Sequence, residues 1–95
     1  MHFVIACVDK PGALEIRKAN REAHLAYLQA HAAQSVAAGP TLTDDAAGMT
    51  GSVLIMEFAD RADADTFAAG DPYAQASLFA SVTITPWRKV YPADA

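Results

Sequence analysis

Residues 14–36 read LEIRKANREAHLAYLQAHAAQSV. The run is rich in Ala, Leu, Glu, Gln and Arg, all strong helix formers, and the spacing predicts one long helix over it. Arg17, Arg21, His24 and Leu28 step by four, three and four, so they share one face. Leu14, Leu25 and Ala32 flank that stripe. A helix packed on a sheet ordinarily turns an unbroken apolar stripe to it. Here two arginines and a histidine interrupt the stripe. Burying such groups is costly unless they are paired, so the face either sits at a rim or lines a polar cavity. Ala37-Ala38-Gly39-Pro40 marks the expected helix end, with Gly39 as C-cap and Pro40 barring continuation.

Upstream, residues 2–8 are apolar on both alternating faces, Phe3, Ile5 and Cys7 on one and Val4, Ala6 and Val8 on the other. That pattern fits a central strand. Asp9-Lys10-Pro11-Gly12 reads as a turn. Downstream, Thr41-Leu42-Thr43 is expected as a short strand, and residues 44–51 as a loop by their Asp and Gly content. Residues 52–58 form a second nearly two-sided apolar strand. Asp60 opens a second helix, with Asp63 in its first turn, with Ala62, Phe67 and Ala69 as its buried side, and with Gly70 ending it. Asp71-Pro72-Tyr73 carries an N-cap and a proline at the first helical position, so residues 74–79 should make a short helical turn. The segment from Ser81 to Val90 reads as a strand, and Pro86 assigns it an edge or a bulge.

The order is β-α-β-β-α-β, the ferredoxin-like split βαβ pattern of an α+β fold. Such a sheet carries helices on one face only. With strands apolar on both sides, the other face would be a large apolar patch, which predicts a homodimer packed sheet to sheet.

The totals set limits. The sequence has 95 residues, enough for one domain, and 53 % of them are hydrophobic, ample for a packed core. The formal net charge of −4 and pI near 5.1 argue against nucleic acid or an anionic membrane as the partner. No apolar run reaches the roughly 18 residues that a membrane span needs, and no signal peptide is visible. The expectation is a soluble cytoplasmic protein. Cys7 is the sole cysteine, so neither an internal disulfide nor a cysteine metal site is available. His24 and His31 stand two helical turns apart, about 10 Å along the axis, too far to share an ion unaided. No metal and no cofactor are expected.

The ordered set of Arg17-x-x-x-Arg21-x-x-His24-Leu25, Ala38-Gly39-Pro40, Gly51-Ser52, Asp71-Pro72-Tyr73 and Leu78-Phe79 resembles the YciI-like (YCII-related) family of small dimeric α/β-barrel proteins. The likeness spans residues 1 to about 90 and reads residues 1–95 as a single YciI-like domain. It implies a dimeric ferredoxin-like barrel and an active site built around a histidine and an aspartate. The matching positions are His24 and Asp71, with Asp44 and Asp45 as the competing assignment for the aspartate. Some members of the family are linked to dehydrochlorination of chlorinated hydroxyquinones.

Several of these residues have two readings. His24 could act as general acid or base, with an aspartate fixing its tautomer, or could be a histidine satisfied by backbone or solvent. Asp71 could orient His24 or simply cap a helix, and one carboxylate can do both. Arg17 and Arg21 could hold a carboxylate, phosphate or phenolate, or lie on a solvated face near Glu15 and Glu22. Tyr73 and Ser52 are candidate ligand contacts, although Ser52 lacks a nucleophile setting. Two functions follow: a cofactor-independent lyase or isomerase-type enzyme using His24 and Asp71 on a small aromatic or anionic substrate, or a non-catalytic dimeric module that binds or senses a small molecule. A role as stability partner for another protein is a third.

Overall fold

A computed structural model describes residues 1–93. The apolar N-terminal segment forms strand β1 (His2–Asp9). It is followed by α1 (Leu14–Ala30), β2 (Ser35–Leu42), β3 (Met49–Glu57), α2 (Arg61–Gly70), α3 (Pro72–Gln75) and β4 (Phe79–Trp87). The sheet has the order β2-β3-β1-β4 and is antiparallel throughout. This is the ferredoxin-like α+β arrangement. As its two-sided apolar pattern predicts, β1 is central. Pro86 lies in the edge strand β4, where a missing backbone donor costs least.

The end of the long helix is corrected. The helix ends at Ala30, not near Val36. A short 3₁₀ turn (Ala32–Gln34) follows, and Ser35 already begins β2. Gly39 and Pro40 are therefore mid-strand residues, and the strand is longer than Thr41–Thr43. The Ala-rich segment has helical propensity, but pairing with β3 gives its backbone a ladder and overrides that weak bias. Pro40 is tolerated because β2 is the other edge. At the helix end the His31 ring Nδ1 sits 2.8 Å from the Tyr27 carbonyl and takes up one of the orphan acceptors.

The second half follows the sequence closely. Asp60 caps α2 by accepting from the Asp63 amide at 2.9 Å. The buried side of α2 is Ala64 and Phe67; Ala62 and Ala69 face outward. Helix α3 is one turn, shorter than expected, and Ser77 at φ 59° turns the chain into β4.

The register places Phe3, Ile5 and Cys7 beside Met56, Leu54 and Ser52 on one face of the sheet. Helices α1 and α2 cover it, with Phe67, Tyr27 and Leu28 closing the core. Burial pushes the Cys7 thiol up to about 12, with the Asp71 charge adding to the effect. The opposite face carries Val4, Ala6, Val8, Val53 and Ile55, and none of these belongs to the core clusters that the described residues form. Val8 and Val53 are exposed there.

Candidate functional site

The buried side chains of α1 are Arg17 and His24, not leucines. Leu14 and Leu25 are exposed. This inversion is stable because each polar group meets a carboxylate supplied by another element.

Arg17 meets Asp9, the last residue of β1. Its Nε donates to Asp9 Oδ2 at 2.7 Å and its Nη2 to Asp9 Oδ1 at 2.8 Å, a forked pair. Nη2 also donates to Ser52 Oγ on β3 at 3.0 Å. The guanidinium carbon lies 4.7 Å from the Tyr73 ring centroid, a cation–π distance. Arg17 and Asp9 are both almost completely enclosed, with side-chain exposures of 3 % and 8 %. Burial alone would disfavour the cation, but the bonds and charge of Asp9 outweigh it and raise the Arg17 pKa above its ordinary value.

His24 meets Asp71. The ring Nδ1 stands 2.9 Å from Asp71 Oδ1. The same oxygen accepts the Tyr73 amide at 2.9 Å and so caps α3. A carboxylate only accepts, which places the proton of a neutral His24 on Nδ1 and a lone pair on Nε2. The imidazole stacks on Tyr73 with centroids 4.0 Å apart and planes 15° from parallel. Burial raises the Tyr73 hydroxyl pKa, and Arg17 and Arg21 offset part of that. At neutral pH Tyr73 is a phenol that can donate.

These groups line one cleft of about 150 Å³. Its polar wall is Arg17, Arg21, His24, Ser52 and Tyr73. Its apolar wall comes from Leu25 and Leu28 on α1 and from Pro40, Met49 and Leu54 on the sheet. His24 Nε2 has no partner among the described residues, and none of their side-chain polar atoms is both unpartnered and sealed from solvent. Nε2 therefore opens to the cleft. Arg21 is exposed at its mouth.

The structure brings together five of the six residues singled out in the sequence as lining of one cleft, with Asp71 directly behind His24. Asp44 and Asp45 lie elsewhere, in the β2–β3 loop. There Asp45 accepts from Thr43 Oγ1 and the Ala47 amide, which lower its pKa. Arg17 is not on a solvated face beside Glu15 or Glu22. Its partner is Asp9, which sequence reasoning assigned to a turn. The available signal was an acid ending an apolar strand, eight residues before a helix-borne arginine. Pro40 and Met49 were also missed as cleft lining, because Pro40 on β2 was read as a helix end and Met49, the first residue of β3, as part of a loop. Among the described residues no three His, Cys, Asp or Glu side chains converge as a metal site.

A 5-chloro-2-hydroxyhydroquinone dehydrochlorinase (TftG) from Burkholderia phenoliruptrix, solved in complex with 2,5-dihydroxybenzoquinone, superposes with a TM-score of 0.88 at 40 % identity. The match covers 99 % of this chain and 100 % of that one. Protein YciI of Escherichia coli is 39 % identical and a Haemophilus influenzae protein 40 % identical, each over 96 % of this chain and all of the relative. Residues 1–88 match the YCII-related domain, and the chain belongs to that family.

Proposed function

We propose that the chain is a cofactor-independent enzyme of the lyase type, a dehydrochlorinase-like catalyst that acts on a small aromatic, anionic substrate. The observation that carries this reading is the 2.9 Å contact of His24 Nδ1 with Asp71, which leaves Nε2 as an unpartnered base in the cleft. The 40 % identity to a dehydrochlorinase with a quinone bound supports it. A cavity near 150 Å³ accommodates a single aromatic ring, the size of space that admits benzene in an engineered core.

In an elimination of HCl, His24 Nε2 takes a proton from the substrate. The electron pair left behind moves into the ring, the C–Cl bond breaks, and chloride leaves with the bonding pair. The imidazolium formed is stabilised by Asp71 and returns its proton to water. Tyr73 donates a hydrogen bond to a substrate oxygen, and Arg17, Arg21 and Ser52 orient the ring.

The functional unit is a single domain over residues 1–95, working in the cytoplasm as a homodimer. The bare face with Val4, Val8, Val53 and Ile55 is the surface that a second copy covers. Light scattering giving a monomer at micromolar concentration would remove the dimer.

The deciding experiment is steady-state turnover of chlorinated hydroxyquinols by wild type, His24→Ala and Asp71→Asn, with thermal shifts in 2,5-dihydroxybenzoquinone alongside. Loss of a general base should lower turnover about 10²- to 10⁴-fold in His24→Ala. Asp71→Asn keeps an acceptor for the Tyr73 amide, so it should fold and still lose rate. Stabilisation of wild type by the quinone without turnover would instead leave a binding module.

A further inference from the structure

We propose that Arg21 at the mouth, and not Arg17 in the wall, is the cation that selects an anionic substrate, because Asp9 already holds the charge of Arg17. This rests on the reading of the cleft given above.

The charges around the cleft are unequally committed. Asp9 faces Arg17 with both carboxylate oxygens, at 2.7 and 2.8 Å, inside the protein. What that pair presents to the cleft is a dipole, whose field falls off faster than that of a free charge. A third bond ties Nη2 to Ser52, so Arg17 is held by two strands and carries the Tyr73 ring beneath it. Its role is positioning: it fixes where Ser52 and Tyr73 present their hydroxyls. His24 is likewise committed to Asp71. Arg21 has no carboxylate partner among the described residues, yet it lines the same cleft one helical turn beyond Arg17. Its charge reaches the interior of the site, where it favours ionisation of Tyr73. A phenolate or enolate entering the cleft therefore meets one uncompensated cation.

The arrangement separates two tasks. Asp9 and Arg17 build a rigid wall without net charge, and Arg21 on the exposed helix face supplies attraction that can follow the ligand. An anionic substrate should feel Arg21 strongly and a neutral ring of the same size should not.

The test is calorimetric titration of 2,5-dihydroxybenzoquinone, with hydroquinone as the neutral ring, into wild type, Arg21→Gln and Arg21→Lys at low and high salt. Arg21 is exposed, so these variants should keep the wild-type Tm. Arg21→Gln is expected to weaken the acidic quinone at least about tenfold, to flatten its salt dependence, and to leave hydroquinone unchanged. Arg21→Lys should recover most of the affinity and all of the salt dependence. Equal affinity of wild type and Arg21→Gln for the acidic quinone, with salt dependence intact, would overturn the assignment and return the charge to Arg17. A loss of both ligands alike in Arg21→Gln would also overturn it, since the residue would then be packing rather than selecting charge. Wild type that binds neither ring would remove the functional reading itself, and this inference with it.

Discussion

Asp9→Ala offers the sharpest test of how the site is held together. The substitution removes both acceptors of a forked pair and leaves Arg17 enclosed at 3 % side-chain exposure, with Ser52 Oγ as its remaining hydrogen-bond acceptor among the described residues. Breaking a buried pair by deleting one partner costs about 3–5 kcal/mol, most of it the penalty of an uncompensated charge. For a chain of this size about 1 kcal/mol corresponds to about 4 °C or more in Tm, so the variant should melt at least about 12 °C below wild type. The double variant Asp9→Ala with Arg17→Met removes both charges. It should regain most of that loss, short by about 1 kcal/mol because Ser52 loses its donor. Chemical denaturation of wild type, both single variants and the double variant closes the cycle. An Asp9→Ala variant within about 1 kcal/mol of wild type would refute the reasoning. So would a double variant as unstable as the sum of the single ones.

Two further perturbations probe the sheet beneath the site. A methyl group at Gly51 would stand 2.1 Å from the Cys7 carbonyl, a backbone atom that cannot step aside without parting β1 from β3. Gly51→Ala should therefore lose about 1–3 kcal/mol in a denaturant titration and displace Ser52 next to it; an unchanged midpoint would mean that the strands yield freely. Stability should also fall in alkali. The folded Cys7 pKa of about 12 lies above the unfolded value of 9.0, so its contribution is complete below pH 9 and is lost as pH rises toward 12. Tyr27 and Tyr73, both raised by burial, add to the same fall above pH 10. Cys7→Ala should shallow the fall in Tm between pH 9 and 11, and an identical pH profile would contradict the shift.

The legible parts of the chain were those set by short-range physics. Two-sided apolar alternation located β1, Asp-Pro chemistry located the start of α3, and helical spacing put Arg17, Arg21 and His24 on one face. Those signals are local, and the structure preserves them. The errors came where distant pairing decided the outcome. Residues 31–38 have helical composition, yet the chain leaves α1 through a 3₁₀ turn and β3 captures it from Ser35 on as an edge strand, so the β2 wall of the cleft was invisible. Asp9 looked like a turn residue because nothing local reveals that α1 folds back over the end of β1. The His24–Asp71 contact joins residues 47 apart in sequence. No periodicity links them, and only the resemblance to a family motif put the two positions side by side.

The chain's single thiol has a consequence for chemical durability. Quinones are electrophiles that add to thiolates, and the attacking species is the anion rather than the thiol. Cys7 lies in the central strand on the face covered by the helices, with its side chain among core residues and its proton held well into the alkaline range. A protein that passes quinones through its cleft would thus offer them no sulfur nucleophile, and each turnover would leave the catalyst unmodified. Exposure to excess benzoquinone at neutral pH should leave the folded protein's Cys7 free of adducts, whereas the unfolded chain should be alkylated there.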